Sequence, residues 1–226
     1  MTKCRFMEAP IRILLVRHGE TDWNRLQRFQ GRSDVPLNET GLAQAEALGL
    51  ALRAEPLCSF YSSPLKRALE TARIIRKHHP MAPLLVDGDL VEMHLGAFDG
   101  MRASDWAASN REFLAHWSTH PATVRMPGGE TLEEVQQRAL EAMDRILARH
   151  RNGQSILVCT HNFVILSILC HAMGLPLDRF REVKQGTGSL SRLCYSEGIL
   201  WIQKLDDRSH LPPPLEVTDS KVGETP

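Results

Sequence analysis

The chain has 226 residues, of which 42% are apolar and 24% charged, and this composition is typical of one globular domain with a full core. Lys plus Arg and Asp plus Glu both number 27, so the basic excess typical of nucleic-acid and membrane-surface binders is missing. The N-terminus lacks a signal-peptide pattern, no run of about 18 apolar residues occurs, and the cysteines form no CxxC pair, which together predict a cytoplasmic protein.

The N-terminal part of the chain alternates strand and helix patterns. Residues 11–16 form an apolar run that stops at Arg17, which predicts a buried strand followed by a polar turn. Residues 39–53 show helical spacing, with the apolar side formed by Leu42, Ala45, Leu48 and Leu52. A second strand is predicted at residues 59–63, and Pro64 suits the first turn of the helix that follows.

The same alternation continues toward the C-terminus. Residues 131–150 open with a capping-box pattern and continue with helical spacing. A third strand at residues 155–160 leads into an apolar helix that ends at Gly174. Strands at residues 191–195 and 199–204 flank Glu197-Gly198 and predict a β-hairpin.

Strands that alternate with helices imply an α/β domain, a sandwich with a central, mostly parallel sheet flanked by helices. We place this single domain at residues 11–210, with residues 1–10 as a short N-terminal extension and the proline-rich, polar residues 211–226 as a disordered tail. The sequence does not decide the oligomeric state, so a homodimer remains open.

Chemically similar side chains follow three of the predicted strands. Arg17 and His18 come directly after the first strand, Arg67 lies one turn past the second, and His161 follows the third. In an open α/β sheet, ligands bind beyond the carboxyl ends of the strands. One guanidinium group can bind two phosphate oxygens at once, and imidazole can act as a nucleophile near neutral pH. This set of residues therefore predicts a phosphoryl-group site.

An ordered series of motifs extends this pattern over roughly residues 11–210. The series comprises Leu15-Val-Arg-His-Gly-Glu-Thr-Asp-Trp-Asn24, Gln30-Gly31, Asp34-Val-Pro-Leu-Asn-Glu-Thr-Gly-Leu-Ala-Gln-Ala45, Tyr61-Ser-Ser-Pro-Leu-Lys-Arg-Ala68, Glu92 with Gly96, Gly128-Gly-Glu130, Val158-Cys-Thr-His161 and Ser209-His210. In this series the chain resembles the histidine phosphatase superfamily, also called phosphoglycerate-mutase-like, and within it the branch with small broad-specificity phosphatases.

The resemblance implies a role for each matching position. His18 would be the nucleophile that forms a phosphohistidine, and Glu92 the acid that protonates the leaving oxygen and later activates water. Phosphate oxygens would be held by Arg17, Arg67 and His161. Further substrate contacts would come from Asn24, Gln30, Gly31, Asn162 and His210. The implied enzyme hydrolyses a small phosphorylated metabolite, releases inorganic phosphate, and needs neither a metal ion nor a cofactor.

Two departures from the family pattern bear on the reaction and its substrate. Many relatives have Gly where this chain has Asn162, which still supplies a backbone N–H. Mutases of the family carry Arg-His-Tyr-Gly after the acid and a downstream arginine pair, whereas here the acid starts Glu92-Met-His-Leu-Gly96 and residues 97–130 contain no Arg-Arg. This favours hydrolysis over transfer. A phosphoserine phosphatase would have histidine at Leu95, one residue after His94.

Three other interpretations remain. Asp87 opens a DxDxV sequence after an apolar run and, with Asp206-Asp207, could serve a magnesium-dependent phosphatase with an aspartate nucleophile. A phosphoglycerate-type mutase and a catalytically silent scaffold are the other two. Separately, the aromatic residues Trp106, Phe113 and Trp117 could line a substrate pocket, although the core is the expected place for at least two of them.

Overall fold

Six strands form one central sheet in the computed structural model, which describes residues 9–212. In chain order they are β1 (Ile11–Arg17), β2 (Leu57–Ser62), β3 (Leu84–Val86), β4 (Ser155–Thr160), β5 (Leu190–Ser196) and β6 (Ile199–Asp207). Across the sheet the order is β3-β2-β4-β1-β5-β6. The first four strands of this order pair in parallel, while β5 is antiparallel to both β1 and β6. The predicted α/β architecture with a mostly parallel sheet is confirmed.

Seven α-helices connect the strands within the described residues. They are α1 (Asp22–Arg25), α2 (Glu39–Leu52), α3 (Lys66–Arg76), α4 (Ala103–Ser109), α5 (Arg111–Thr119), α6 (Leu132–Leu147) and α7 (Asn162–Met173). No helix in residues 9–212 is long and apolar enough to cross a membrane. Apart from residues 9–10 and 211–212, the predicted N-terminal extension and C-terminal tail lie outside the described part of the chain.

The sheet is buried on both faces because its central strands are apolar at consecutive positions. In β1, Ile13 and Leu15 belong to the larger core cluster, which also includes the apolar faces of α6 and α7. Leu14 and Val16 belong to a second cluster with α2 and α3 on the other face. A strand buried on both faces has apolar residues at consecutive positions. This is why the apolar run at residues 11–16 was enough to predict β1.

Local start and stop signals account for several element ends. Thr131 and Glu134 form the predicted capping box at the start of α6, with hydrogen bonds of 3.1 and 3.0 Å to each other's backbone N–H. Gly174 ends α7 in the left-handed conformation with φ of 61°. The hairpin between β5 and β6 turns at Glu197 and Gly198, both with positive φ.

Two local predictions were wrong. Helix α3 starts at Lys66, whose N–H donates to the Asp34 carboxylate at 2.7 Å, and Leu65 before it is extended. Pro64 therefore precedes the helix instead of forming its first turn. Leu42 is 41% exposed, because α2 turns it toward a surface groove beside Leu37 and not toward the core.

Gly41 shows how closely the loop after β1 packs on α2. A β-carbon at Gly41 would collide with the backbone carbonyl oxygen of Glu20. Helix propensity alone predicts that Gly41→Ala stabilises the helix by about 1 kcal/mol. We expect the opposite, a loss of roughly 1–3 kcal/mol in the free energy of unfolding, because the clash involves backbone. Urea denaturation measures this change. The matched control is Gly88→Ala, where a β-carbon has open space. Equal stability of the two variants would contradict the packing argument.

Candidate active site

Three neighbouring strands bring their carboxyl ends to one edge of the sheet. His18 follows β1, Ser63 follows β2 and His161 follows β4. The ladder continues one residue past the strands, since His18 N–H donates to the Thr160 carbonyl and Ser63 N–H to the Cys159 carbonyl, both at 3.1 Å. The rings of His18 and His161 are 5.1 Å apart, centroid to centroid, and both are buried. The structure therefore brings the two predicted histidines together at the carboxyl ends of neighbouring strands.

His18 is held in one tautomer by the backbone. Its Nδ1 lies 2.7 Å from the carbonyl oxygen of Gly19, which can only accept, so Nδ1 carries the proton. Burial, reinforced by the charges of Arg67 and Arg17, lowers the pKa of His18 well below its ordinary value. The imidazole is therefore neutral at pH 7, with the lone pair of Nε2 available to attack an electrophile.

His161 is held in the opposite tautomer. Its Nδ1 accepts a hydrogen bond of 3.2 Å from Nε of Arg67, a group that can only donate. The proton of the neutral ring is therefore on Nε2, which donates to Oγ of Ser63 at 2.7 Å. Burial, followed by the charge of Arg67, lowers the pKa of His161 well below its ordinary value. His161 is thus a neutral hydrogen-bond donor.

Arg67 is fully buried and fastens a loop over this edge of the sheet. Its two terminal nitrogens donate at 2.8 Å to the carbonyl oxygens of Gly31 and Ser33. Burial lowers the pKa of Arg67 to about 10, so the guanidinium stays charged at neutral pH. Three of its five N–H groups serve the protein's own structure, and the other two remain for an anion.

Arg17 supplies a second cation from the end of β1. Its NH1 group donates to the side-chain oxygen of Asn162 at 3.1 Å and to the carbonyl oxygen of Gln185. The Nε atom is buried and has no hydrogen-bond partner within residues 9–212. Asn162 opens α7, whose N-terminus adds positive partial charge at the same place. The arrangement is suited to an anion.

Glu92 lies beneath the first turn of α7. Its carboxylate accepts hydrogen bonds from the backbone N–H of Met93 at 2.9 Å and of Phe163 at 3.2 Å. Burial raises the pKa of Glu92, and this effect outweighs the Met93 hydrogen bond and the charges of Arg67 and Arg17, which lower it. A carboxyl group with a raised pKa can hold a proton at a pH where an exposed glutamate has lost it.

Three of the other predicted contact residues, Asn24, Gln30 and Gly31, follow β1 along the chain. Gln30 and Asn24 are linked through Thr21, whose hydroxyl group lies 2.8 Å from Oε1 of Gln30 and 3.1 Å from Oδ1 of Asn24. The Nε2 of Gln30 is buried without a partner in the described part of the chain. The N–H of Gly31 already donates to Asp99 at 2.9 Å, so the backbone of Gly31 serves the loop's own structure.

His210 contacts a backbone segment that is hydrogen-bonded to His18. Its Nε2 is 2.9 Å from the carbonyl oxygen of Gly188, and the N–H of Gly188 donates to the carbonyl oxygen of His18 at 3.0 Å. The observed contact therefore supports the backbone next to His18.

Sequence reasoning missed residues that act through other residues. Ser63 lies inside a quoted motif but has no charge to attract attention, and its partner His161 is 98 residues away. Asp99 binds the N–H groups of Gly31 and Ser33, both at 2.9 Å, and in the sequence it is only one of three acidic residues between Gly96 and Gly128.

The structure does not bring together the aspartates of the magnesium interpretation. Asp87 follows β3 and Asp206 lies in β6, the two outermost strands of the sheet. Five strand spacings of about 4.8 Å put them roughly 24 Å apart. Asp87 pairs with Arg145 and Asp206 with Arg208. Nowhere in residues 9–212 do three His, Cys, Asp or Glu side chains group in a way that could hold a metal ion.

Comparisons with known proteins point to one family. The profile of the histidine phosphatase superfamily (branch 1) matches residues 13–208. Phosphoglycerate mutase-like protein 4 of Arabidopsis thaliana is 40% identical over 202 residues, which cover 88% of this chain and 86% of that protein. Phosphoserine phosphatase 1 of Hydrogenobacter thermophilus is 31% identical over 201 residues, 89% of this chain and 94% of that protein. The structure of Bacillus stearothermophilus YhfR has a TM-score of 0.83 and 34% identity, and the match covers 88% of this chain and 98% of that one.

The geometry predicts two neutral histidines in opposite tautomers. At pH 7, His18 should carry its proton on Nδ1 and His161 on Nε2, and both should stay neutral at pH 6 because burial lowers their pKa values. Nitrogen-15 NMR of histidine-labelled protein measures both properties. The variants His18→Asn and His161→Asn assign the signals, and exposed His120 serves as an internal reference. An imidazolium signal from either buried ring at pH 6 would contradict the hydrogen-bond assignment.

Proposed function

Because this chain belongs to the histidine phosphatase superfamily, we propose that it hydrolyses a small phosphomonoester through a phosphohistidine on His18, without a metal ion. The observation that carries this proposal is a neutral imidazole with a free Nε2, buried beside two guanidinium groups and a carboxyl group of raised pKa. Phosphoryl transfer depends mainly on in-line positioning and charge neutralisation, and arginines supply that charge.

In the first step, Nε2 of His18 attacks phosphorus as the bond between phosphorus and the ester oxygen breaks. The Gly19 carbonyl keeps the proton on Nδ1 and stabilises the positive charge that develops on the ring. Arg17 and Arg67 bind the phosphoryl oxygens. The Nε2–H of His161 also donates to Ser63. A phosphoryl oxygen therefore competes with the serine hydroxyl for this hydrogen bond. Glu92 gives its proton to the leaving alcohol oxygen.

In the second step, Glu92 is a carboxylate and takes a proton from water. The water oxygen attacks phosphorus, the bond to Nε2 of His18 breaks, and inorganic phosphate leaves. The N–H groups of Met93 and Phe163 hold the carboxylate in place between the two steps. One carboxyl group can thus act first as acid and then as base, since each step restores the protonation state that the other needs.

Hydrolysis is favoured over mutase activity by the environment of the arginines that follow the acid. Arg125 is exposed and forms an ion pair with Glu134. Arg111 is exposed at the start of α5 and Arg102 precedes α4. None of these three arginines has an adjacent arginine. A phosphoglycerate carboxylate therefore lacks the paired cations that the mutase branch offers. The relative named phosphoserine phosphatase supports the same choice.

Phosphate release in excess EDTA tests the mechanism. The panel comprises p-nitrophenyl phosphate, 3-phosphoglycerate, phosphoserine, a sugar phosphate and α-ribazole phosphate. We expect EDTA-resistant turnover that falls at least about 10³-fold in His18→Ala, because the nucleophile is lost. The exposed His120→Ala is the matched control and should keep full activity. Loss of activity in EDTA would support the Asp87 interpretation, and conversion of 3-phosphoglycerate to its isomer without phosphate release would support a mutase.

The pH dependence should report on Glu92. Its carboxyl must be protonated in the first step, so kcat/KM should fall as the pH rises through its raised pKa. The fall should be steep for an alkyl phosphate and shallow for p-nitrophenyl phosphate, whose leaving group needs little protonation. Initial rates between pH 5 and pH 9 measure both profiles.

Glu92→Gln provides the comparison for this profile, because it keeps the shape of the side chain without its titration. It should lower kcat/KM for the alkyl phosphate about 10²-fold or more, and lower it less for p-nitrophenyl phosphate. Equal losses for the two esters would exclude Glu92 as the acid of the first step.

A further inference from the structure

An apolar cavity of about 230 Å³ lies beside the candidate site. Its walls include the rings of Phe29, Phe98, Trp106 and Trp117, and Arg181 also lines it. Trp106 and Trp117 are 6% and 8% exposed, so they belong to the core, as the sequence led us to expect, and line the cavity as well. The third of the aromatic residues considered for a pocket, Phe113, packs against Trp117 and Phe98 from outside this lining.

The cavity shares walls with the site that holds the phosphoryl group. The ring of Phe163 lines the cavity, while the backbone N–H of the same residue binds the Glu92 carboxylate. Leu95 lines it as well, and a β-carbon on Gly31 would lie only 3.1 Å from Cγ of Leu95. Gly31 is in turn held by Arg67. The acid that protonates the leaving oxygen and the cavity are therefore separated by one residue.

The aromatic walls hold one another in fixed positions. Trp106 meets the rings of Phe29 and Phe98 edge to face, at centroid distances of 5.1 and 5.3 Å. Such contacts stabilise a defined arrangement of the rings. The cavity is thus a preformed slot for a flat apolar group. Since an apolar cavity of about 150 Å³ is known to hold benzene, this one has room for a single ring with a substituent.

The polar groups at the cavity are predominantly hydrogen-bond donors. The indole N–H of Trp106 is buried and has no hydrogen-bond partner in residues 9–212. Arg181 is exposed, stacks on Phe180 at 4.7 Å and donates to the Trp117 carbonyl at 2.9 Å, and it forms no ion pair with any carboxylate in residues 9–212. An unpartnered buried donor and an unpaired cation both complement an acceptor or an anion on a ligand.

We propose that this cavity receives the alcohol portion of the substrate, and that this portion is an apolar ring carrying a hydrogen-bond acceptor or an anionic group. The assignment rests on the proposed phosphomonoesterase activity. The phosphoryl group lies between Arg17, Arg67 and His18, Glu92 faces the bridging oxygen, and the ring extends past Phe163 toward Arg181. The cavity therefore selects substrates by their alcohol portion.

Benzyl phosphate and ethyl phosphate test the ring, because their leaving alcohols have similar basicity. Removing a phenyl group from water strengthens binding by about tenfold or more. We therefore expect kcat/KM to be at least about tenfold higher for the benzyl ester. Benzylphosphonate should likewise bind at least about tenfold more tightly than ethylphosphonate in calorimetry, a measurement that does not require turnover.

Ser118→Phe places a ring at the mouth of the cavity and should bring both ratios close to one. Ala115→Phe is the matched control, because Ala115 is an exposed small residue of the same helix, α5, outside the lining. Equal binding of the two phosphonates by the wild type, or equal effects of the two variants, would overturn the assignment. If the phosphonates differ but neither ester is hydrolysed, the proposed function fails, and the cavity is a binding site for an apolar ring without the role in substrate selection. If the esters are hydrolysed but the two phosphonates bind equally, the proposed function stands and the cavity assignment fails.

Arg181 is tested with 4-carboxybenzyl phosphate. The carboxylate should raise kcat/KM over benzyl phosphate in the wild type, and Arg181→Gln should reduce this preference by about fivefold to tenfold. Arg179→Gln makes the same change of charge in the same 3-10 helix (Leu177–Glu182). Arg179 already pairs with Glu182, so this variant should keep the preference. The same preference in all three proteins would exclude an anion contact at Arg181.

Discussion

The hydrogen bonds of the buried Arg67 guanidinium determine how the loop at residues 31–34 lies over the sheet. A buried cation is stable only if its donors are satisfied and opposite charges lie near it. Here the carbonyl oxygens of Gly31 and Ser33 and a ring nitrogen of His161 satisfy three of the five N–H groups, and Glu92 contributes favourable charge. The loop, the tautomer of His161 and the cationic field at the strand ends therefore depend on one side chain.

Burial and positive charge act differently on the two groups that would exchange protons and phosphate. Both lower the pKa of His18, so this imidazole is neutral for two independent reasons. For Glu92 they oppose each other, and burial prevails, which raises its pKa. The arginines can thus bind an anion without forcing this carboxyl group to ionise, because Glu92 lies beneath α7 and away from solvent.

The sequence was most informative where one rule applies to a single stretch of chain. The positions of His18 and His161 followed from apolar runs that end in polar residues, and the structure places both rings at the same sheet edge. Contacts between distant segments could not be inferred in this way. Ser63 acquires its importance only from the pairing of β2 with β4, and Pro64 does not start α3 because a carboxylate from another loop caps Lys66.

The first turn of α7 links specificity to chemistry. Asn162 orients Arg17 through its side chain, and Phe163 uses its backbone for Glu92 and its ring for the cavity wall. A ligand that displaces the Phe163 ring far enough to move its backbone would disturb one of the two hydrogen bonds that hold the Glu92 carboxylate. An alcohol portion that fits the cavity would leave this bond intact, while a bulkier one would shift Glu92. Discrimination between substrates would then appear in the rate of phosphoryl transfer as well as in affinity, because small shifts of a catalytic group are costly.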